Sequence, residues 1–219
     1  GNPTWKRIAV LPEKTSVLFQ FFRNENNTHY FPTLKYAGQK VDFQYKNAFI
    51  VCEEPAWMIL ENRLYHFEKD VDGKKLRPFL NKKFIVIPRK VEDQYYKKFV
   101  TQLVASFDVY AKGFDIKVER SLPRPVLSLS DLPSSPKTDL FGNKLEEEEE
   151  DKIVFDLQFQ YGDYAFRSEE KASNNVELEQ IGDNYIFHKV IRDLDKEKSY
   201  GDYLKDLGLP VKHARYSIC

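Results

Sequence analysis

The sequence predicts an α+β fold: antiparallel meander sheets, one amphipathic helix packed on the first sheet, and one C-terminal helix. Three observations predict it. Short apolar runs separated by turn residues fill positions 17–87, and one later run has its apolar residues at helical spacing. Further on, Phe155, Leu157, Phe159 and Tyr161 alternate with Asp156, Gln158 and Gln160, the mark of a strand with one wet face. Seventeen Phe and thirteen Tyr against a single Met add to the case, because flat rings fit a pleated, half-buried surface.

The elements run in order along the chain. Val17–Phe22, Tyr30–Tyr36, Lys40–Phe43 and Phe49–Cys52 read as strands, with turns at Asn24-Glu25-Asn26-Asn27 and Ala37-Gly38. Trp57–Leu60 and Leu64–Phe67 flank Glu61-Asn62-Arg63, a tight hairpin turn. Asp72-Gly73 turns the chain again, and Phe84–Ile87 reads as a buried strand ended by Pro88. Over 91–110 a helix is expected. Tyr96, Phe99, Val100, Leu103, Val104 and Phe107 form its apolar face, and Glu92 and Asp93 suit the positive end of its dipole. Strands near Phe114–Val118 and Val126–Ser130 close a β-rich basic region, residues 1–130.

Residues 131–151 read as an acidic linker or loop, since Glu146–Glu150 and Asp151 repel one another and resist burial. A smaller α+β region, 152–219, comes next. In it Gly162-Asp163 turns Phe155–Tyr161 back into Tyr164–Phe166, and Gly182-Asp183-Asn184 leads into a strand at Tyr185–His188. A helix near Ile191–Leu207 is expected to bury Leu194, Tyr200, Tyr203, Leu204 and Leu207, and to stop at Gly208 and Pro210.

Charge is uneven along the chain. Residues 1–126 hold 22 Lys+Arg against 14 Asp+Glu, and residues 127–219 hold 12 against 20, although the net charge is zero. No apolar run approaches the roughly 18–20 residues that span a bilayer, so no membrane partner is expected. Two cysteines are too few for a disulfide framework, and Cys52, within Ala48–Cys52, is expected to be a buried thiol in a reducing, cytoplasmic setting. The chain starts with Gly and stops just past Ile218, so it is expected to be a piece of a longer protein.

Residues for catalysis are hard to assemble. No Gly-x-x-x-x-Gly-Lys-Ser/Thr, Gly-x-Gly-x-x-Gly or Gly-x-Ser-x-Gly pattern occurs, and His29, His66, His188 and His213 lack ligand neighbours at metal-binding spacing. His66 and His188 read as sheet-surface residues, Glu53-Glu54 and Asp193/Asp195 as solvated acids, and Trp57 as a core residue. No catalytic residue, cofactor or metal is therefore expected. The most distinctive charged feature runs from Gly73 to Val91, where Lys74, Lys75, Arg77, Lys82, Lys83, Arg89 and Lys90 occur without one acid. These seven are the candidate contacts to nucleic acid, with Phe79 and Phe84 as rings that stack on bases. Lysines flanking a strand edge are the alternative account of the same pattern.

Several segments together resemble a known family. They are Glu54–Leu60, Leu64–Phe67 and Asp72–Leu80, with Lys112-Gly113-Phe114, Leu157–Gly162 and Val190–Leu194. This set is similar to the helicase-associated region upstream of the motor in bacterial Swi/Snf-type helicases, which are ATP-dependent translocases of superfamily two. The resemblance implies a non-catalytic accessory domain that positions DNA or a protein partner, or restrains the motor lobes of the same polypeptide. It transfers no catalytic residue. The rival expectation is an unrelated β-rich module for protein or carbohydrate interaction, with exposed Trp or Tyr as its platform.

Overall fold

The computed structural model describes residues 4–132, 152–168, 170, 175–208, 211–212 and 215–218. Most of the acidic stretch 131–151 lies outside these residues, as does His213. The chain forms two compact units whose sequences interleave: Gly1–Lys117 with Val176–Lys189, and Val118–Asn175 with Val190–Cys219. Strands dominate and most pair antiparallel, so the fold is α+β.

The first unit is organised around β1 (Ala9–Arg23). Its second half pairs antiparallel with β2 (Asn27–Tyr36), which in turn carries β3 (Gln39–Val41). The hairpin forms because Asn24 Oδ1 accepts from the Asn26 and Asn27 amides at 2.9 and 3.0 Å, an Asx turn. Then β4 (Phe49–Glu53), β5 (Ala56–Leu60) and β6 (Arg63–Phe67) form the expected meander. Glu61 and Asn62 both have positive φ, the twist a two-residue hairpin requires. Two pairings depart from a simple meander: β6 and β8 (Asp108–Lys112) both run parallel to β1, on its first and second halves. At fifteen residues, β1 is long enough to take β6 along its first half and both β2 and β8 along its second.

Between β6 and β7 (Ile85–Pro88), single turns at Gly73–Lys75 and Arg77–Leu80 drive Leu76 and Phe79 into the core. Phe79 is thus a core ring against Phe19 and Tyr30, not a surface stacker. β7 is only half buried: Ile87 faces the core while Val86 is exposed, because it pairs with β2 alone.

The expected helix is present but broken in phase. It runs as α1 (Glu92–Tyr95), a π turn (Tyr96–Val100) and α2 (Thr101–Ser106), and the chain is already strand β8 by Asp108. The wider π turn rotates α2 relative to α1. Tyr96, Val100, Leu103, Val104 and Phe107 are buried, whereas Phe99, expected on the same face, is exposed. A three-stranded sheet of β13 (Val176–Ile181), β14 (Asn184–Val190) and β9 (Asp115–Glu119) adds Tyr185 and Phe187 to this core. Gly113, before β9, has φ +101, and a Cβ there would stand 2.5 Å from the Arg23 carbonyl oxygen, so only glycine fits.

The second unit is centred on β11 (Lys152–Tyr161), flanked by β10 (Arg124–Leu132) on one side and by β12 (Tyr164–Arg167) and β16 (Arg215–Ile218) on the other. β15 (Val211–Lys212) pairs with β16. Leu157, Phe159 and Tyr161 point into its core as their alternation predicts. Helix α3 (Leu194–Asp206) is capped by Asp193, whose Oδ1 accepts from the Lys196 amide at 3.0 Å. Its buried face is not the expected one: Leu194, Tyr203 and Leu207 are exposed, while Glu197 is buried and Tyr200 and Leu204 pack on the core.

Two expectations about single side chains are also corrected. Cys52 is exposed, because the register shift between Ile50 and Cys52 opposite β5 turns it outward. Trp57 is half-buried rather than a core residue and stacks on His66, with ring centroids 5.2 Å apart.

Candidate nucleic-acid interface

The seven basic residues of the 74–90 segment do not act as one patch. Arg77 Nη2 donates to Glu53 at 2.6 Å, and Lys74 lies within 4 Å of both Glu53 and Glu54. Lys75 reaches Gln102. The local cause is the pair of turns after β6, which fold these cations back over the β4–β5 corner, where Glu53 and Glu54 stand. Segments without an acid in sequence meet acids in space.

Arg89 is claimed more firmly still. Its guanidinium donates to Glu92 at 3.0 Å and to Asp183 at 2.5 Å, beside Arg23, which also grips Glu92 with two hydrogen bonds of 2.9 Å. The side chains of Arg23 and Glu92 are only 6% and 4% exposed. Burial pushes the Glu92 carboxyl up, but the bonds from Arg23 and Arg89 outweigh it and hold the group below the usual carboxylate range. Thr28 donates to the same carboxylate at 3.2 Å, and its hydroxyl lies 2.6 Å from that of Tyr96. Arg89 is thus part of an internal ion cluster.

Three of the seven remain. Among the described residues Lys82, Lys83 and Lys90 are exposed and have no ion-pair or hydrogen-bond partner. They bracket β7, two before it and one after it. Residue Phe84, at the entry to β7, is 50% exposed, as a stacking ring must be.

Residues missed in the sequence adjoin them. Along β1, Phe19 and Phe21 face the core, which sends Leu18, Gln20 and Phe22 to the outer face. The β2 register places His29 opposite Phe22 and Phe31 opposite Gln20, and β7 places Val86 opposite His29. On β8, Tyr110 and Lys112 register with Gln20 and Phe22. The rings form one connected row across three strands to the residue that precedes β7: Tyr110 to Phe22 at 6.1 Å, Phe22 to His29 at 5.3 Å, His29 to Phe84 at 5.7 Å. Phe22 and His29 are nearly parallel at 17°, while Tyr110 and Phe84 are tilted by about 60° and half exposed at the two ends. A signal for this was present in the sequence: Phe21-Phe22 and His29-Tyr30-Phe31 put rings at both parities, so both faces of the hairpin are aromatic.

By register Lys35 and Lys112 lie on this face, and Lys82, Lys83 and Lys90 lie in the segments next to the two ends of β7. Lys35 and Lys112 join Lys82, Lys83 and Lys90 as exposed lysines without a partner among the described residues, and Asp108 is the one acid on β8, β1, β2 and β7 that shares the face. His188, expected on a sheet surface, is half-buried and lies 2.7 Å from Glu179. No three His, Cys, Asp or Glu side chains gather in metal-binding geometry among the described residues, and no helix there is long and apolar enough to cross a membrane. Comparison with protein families, curated proteins and solved structures finds no match to the chain.

Proposed function

We propose that the chain is a non-catalytic accessory region of a cytoplasmic Swi/Snf-type ATPase, contacting DNA electrostatically and holding it near the motor lobes of the same polypeptide. The family part of this reading rests on the sequence resemblance alone. The observation that carries the DNA contact is the set of unpaired lysines, Lys82, Lys83 and Lys90, around the half-buried strand β7. An unpaired lysine releases a condensed counterion when it meets a phosphate, which drives association whatever the sequence. Binding of the chain to duplex DNA, measured by fluorescence anisotropy, is expected to weaken as salt rises. Reversing the three lysines to Glu is expected to abolish it. Binding at low salt that survives the reversal excludes this segment as the contact. The accessory role is tested separately: the reading frame that encodes this chain should continue into a phosphate-loop motor.

A second reading has its own observation. β4 is a terminal strand of the eight-stranded sheet, paired with β5 alone among the described residues, and Phe49 and Val51 on it are 61% and 57% exposed. Such an edge accepts a strand from a protein partner. Asp or Lys at Phe49 and Val51 would remove that partner without touching DNA binding.

A further inference from the structure

The row of rings on the outer face of β8, β1 and β2, ending at the residue that precedes β7, has no role in the core, and it lies among the free lysines. We infer that this face stacks on the unpaired bases of a single-stranded nucleic acid, with Lys35, Lys82, Lys83, Lys90 and Lys112 on its phosphates. The inference rests on the nucleic-acid reading above and names its substrate class.

Three features favour that occupant. Rings on a flat sheet reach a base face only where the base is unstacked, because a duplex hides its faces and offers edges in grooves. The exposure is concentrated in the two end rings, Phe84 at 50% and Tyr110 at 51%, which lie at opposite ends of the row. Adjacent strands lie about 4.8 Å apart, so the row spans about 14 Å, enough for a short run of nucleotides rather than one ligand ring. The charge also decides between partners. Five unpaired lysines against Asp108 suit a polyanion, whereas lysine is depleted in protein–protein interfaces.

The test is anisotropy of a labelled oligonucleotide of about 15 nucleotides, single-stranded and as a duplex, against the full chain and its variants. Expected is a preference for the single strand, and a loss of about fivefold or more on Phe84→Ala and on Tyr110→Ala, with duplex binding unchanged. Phe84→Leu and Tyr110→Leu keep apolar volume while deleting the ring, so they should reproduce the loss even where Ala perturbs folding. Equal affinity for both forms, with all four variants silent, overturns the inference and leaves the lysine contact standing. Binding of neither form overturns both. A dimer in sedimentation that Phe84→Ala dissolves would assign the face to a second copy of the chain and also overturn it.

Discussion

Arg23 and Glu92 stand 69 residues apart in sequence and meet at 2.9 Å in an almost dry site, where Arg89 and Thr28 complete the coordination of the carboxylate. Removing Arg23 takes two of the hydrogen bonds from the buried Glu92 carboxylate and leaves it to Arg89 and Thr28, so Arg23→Met should cost about 1.5–3 kcal/mol, read by urea unfolding at pH 7. The pH dependence has a definite sign. The Glu92 carboxyl titrates lower in the folded chain than in the unfolded one, so its contribution is fully present above about pH 4.3 and is lost as pH falls through the folded value. Glu92→Gln should therefore be most destabilising near neutrality, with its deficit against wild type shrinking in acid; a deficit that grows in acid would contradict this assignment. Gly113→Ala belongs with it, since the new methyl would strike the Arg23 carbonyl in a left-handed backbone, and it too should lower the unfolding midpoint. None of this was legible in the sequence. Arg89 reads there as one of seven free cations; Glu92 is its i,i+3 neighbour, but only the fold brings Arg23 and Asp183 to the pair.

Elements show what local pattern can and cannot carry. The strands of the first hairpin, the β4–β6 meander and β11 were legible because alternation and turn chemistry act over a few residues. The parallel neighbours of β1 were not, as strand partners are chosen over long range. Nor were β8 and β13, whose polar residues interrupt the apolar run. Helix α3 is the sharper case. Its wheel favours burial of Leu194, Tyr203 and Leu207, yet the chain buries Glu197 instead, because Arg192 donates to it at 2.7 and 2.9 Å and Tyr161 at 2.6 Å. Arg192 also lies over the Phe166 ring, 4.9 Å from its centroid. The Tyr161 hydroxyl accepts from the Asp193 amide at 2.9 Å, so one group ties β11 to both the cap and the buried acid of the helix. Tyr161→Phe keeps the ring and removes both bonds. It should destabilise the second unit by about 1–3 kcal/mol, seen as faster amide exchange in α3 than in β1.

At the scale of the molecule, the interleaved units temper the charge asymmetry of the linear sequence. The unit containing the candidate face holds 21 Lys+Arg against 16 Asp+Glu, the other 13 against 18, and the whole chain is neutral. A neutral chain exerts little long-range pull on a polyanion, so association must depend on the cations that reach phosphates at contact. The number of those cations is where sequence and fold give different answers. The sequence offers the seven of the 74–90 segment, and with Lys35 and Lys112 on the same sheet the total is nine. The fold withdraws Lys74, Lys75, Arg77 and Arg89 into contacts with Glu53, Glu54, Gln102, Glu92 and Asp183, leaving five. Each phosphate contact to a single strand contributes about −0.7 to the slope of log affinity against log salt. Five contacts cap the slope near −3.5, and nine would carry it past about −6. A titration series between low and moderate salt separates these values. A slope beyond the five-lysine limit would mean that the internal ion pairs open to bind. One within it, flattened stepwise as Lys82, Lys83 and Lys90 are neutralised, would show that the fold has already chosen which cations are free to work.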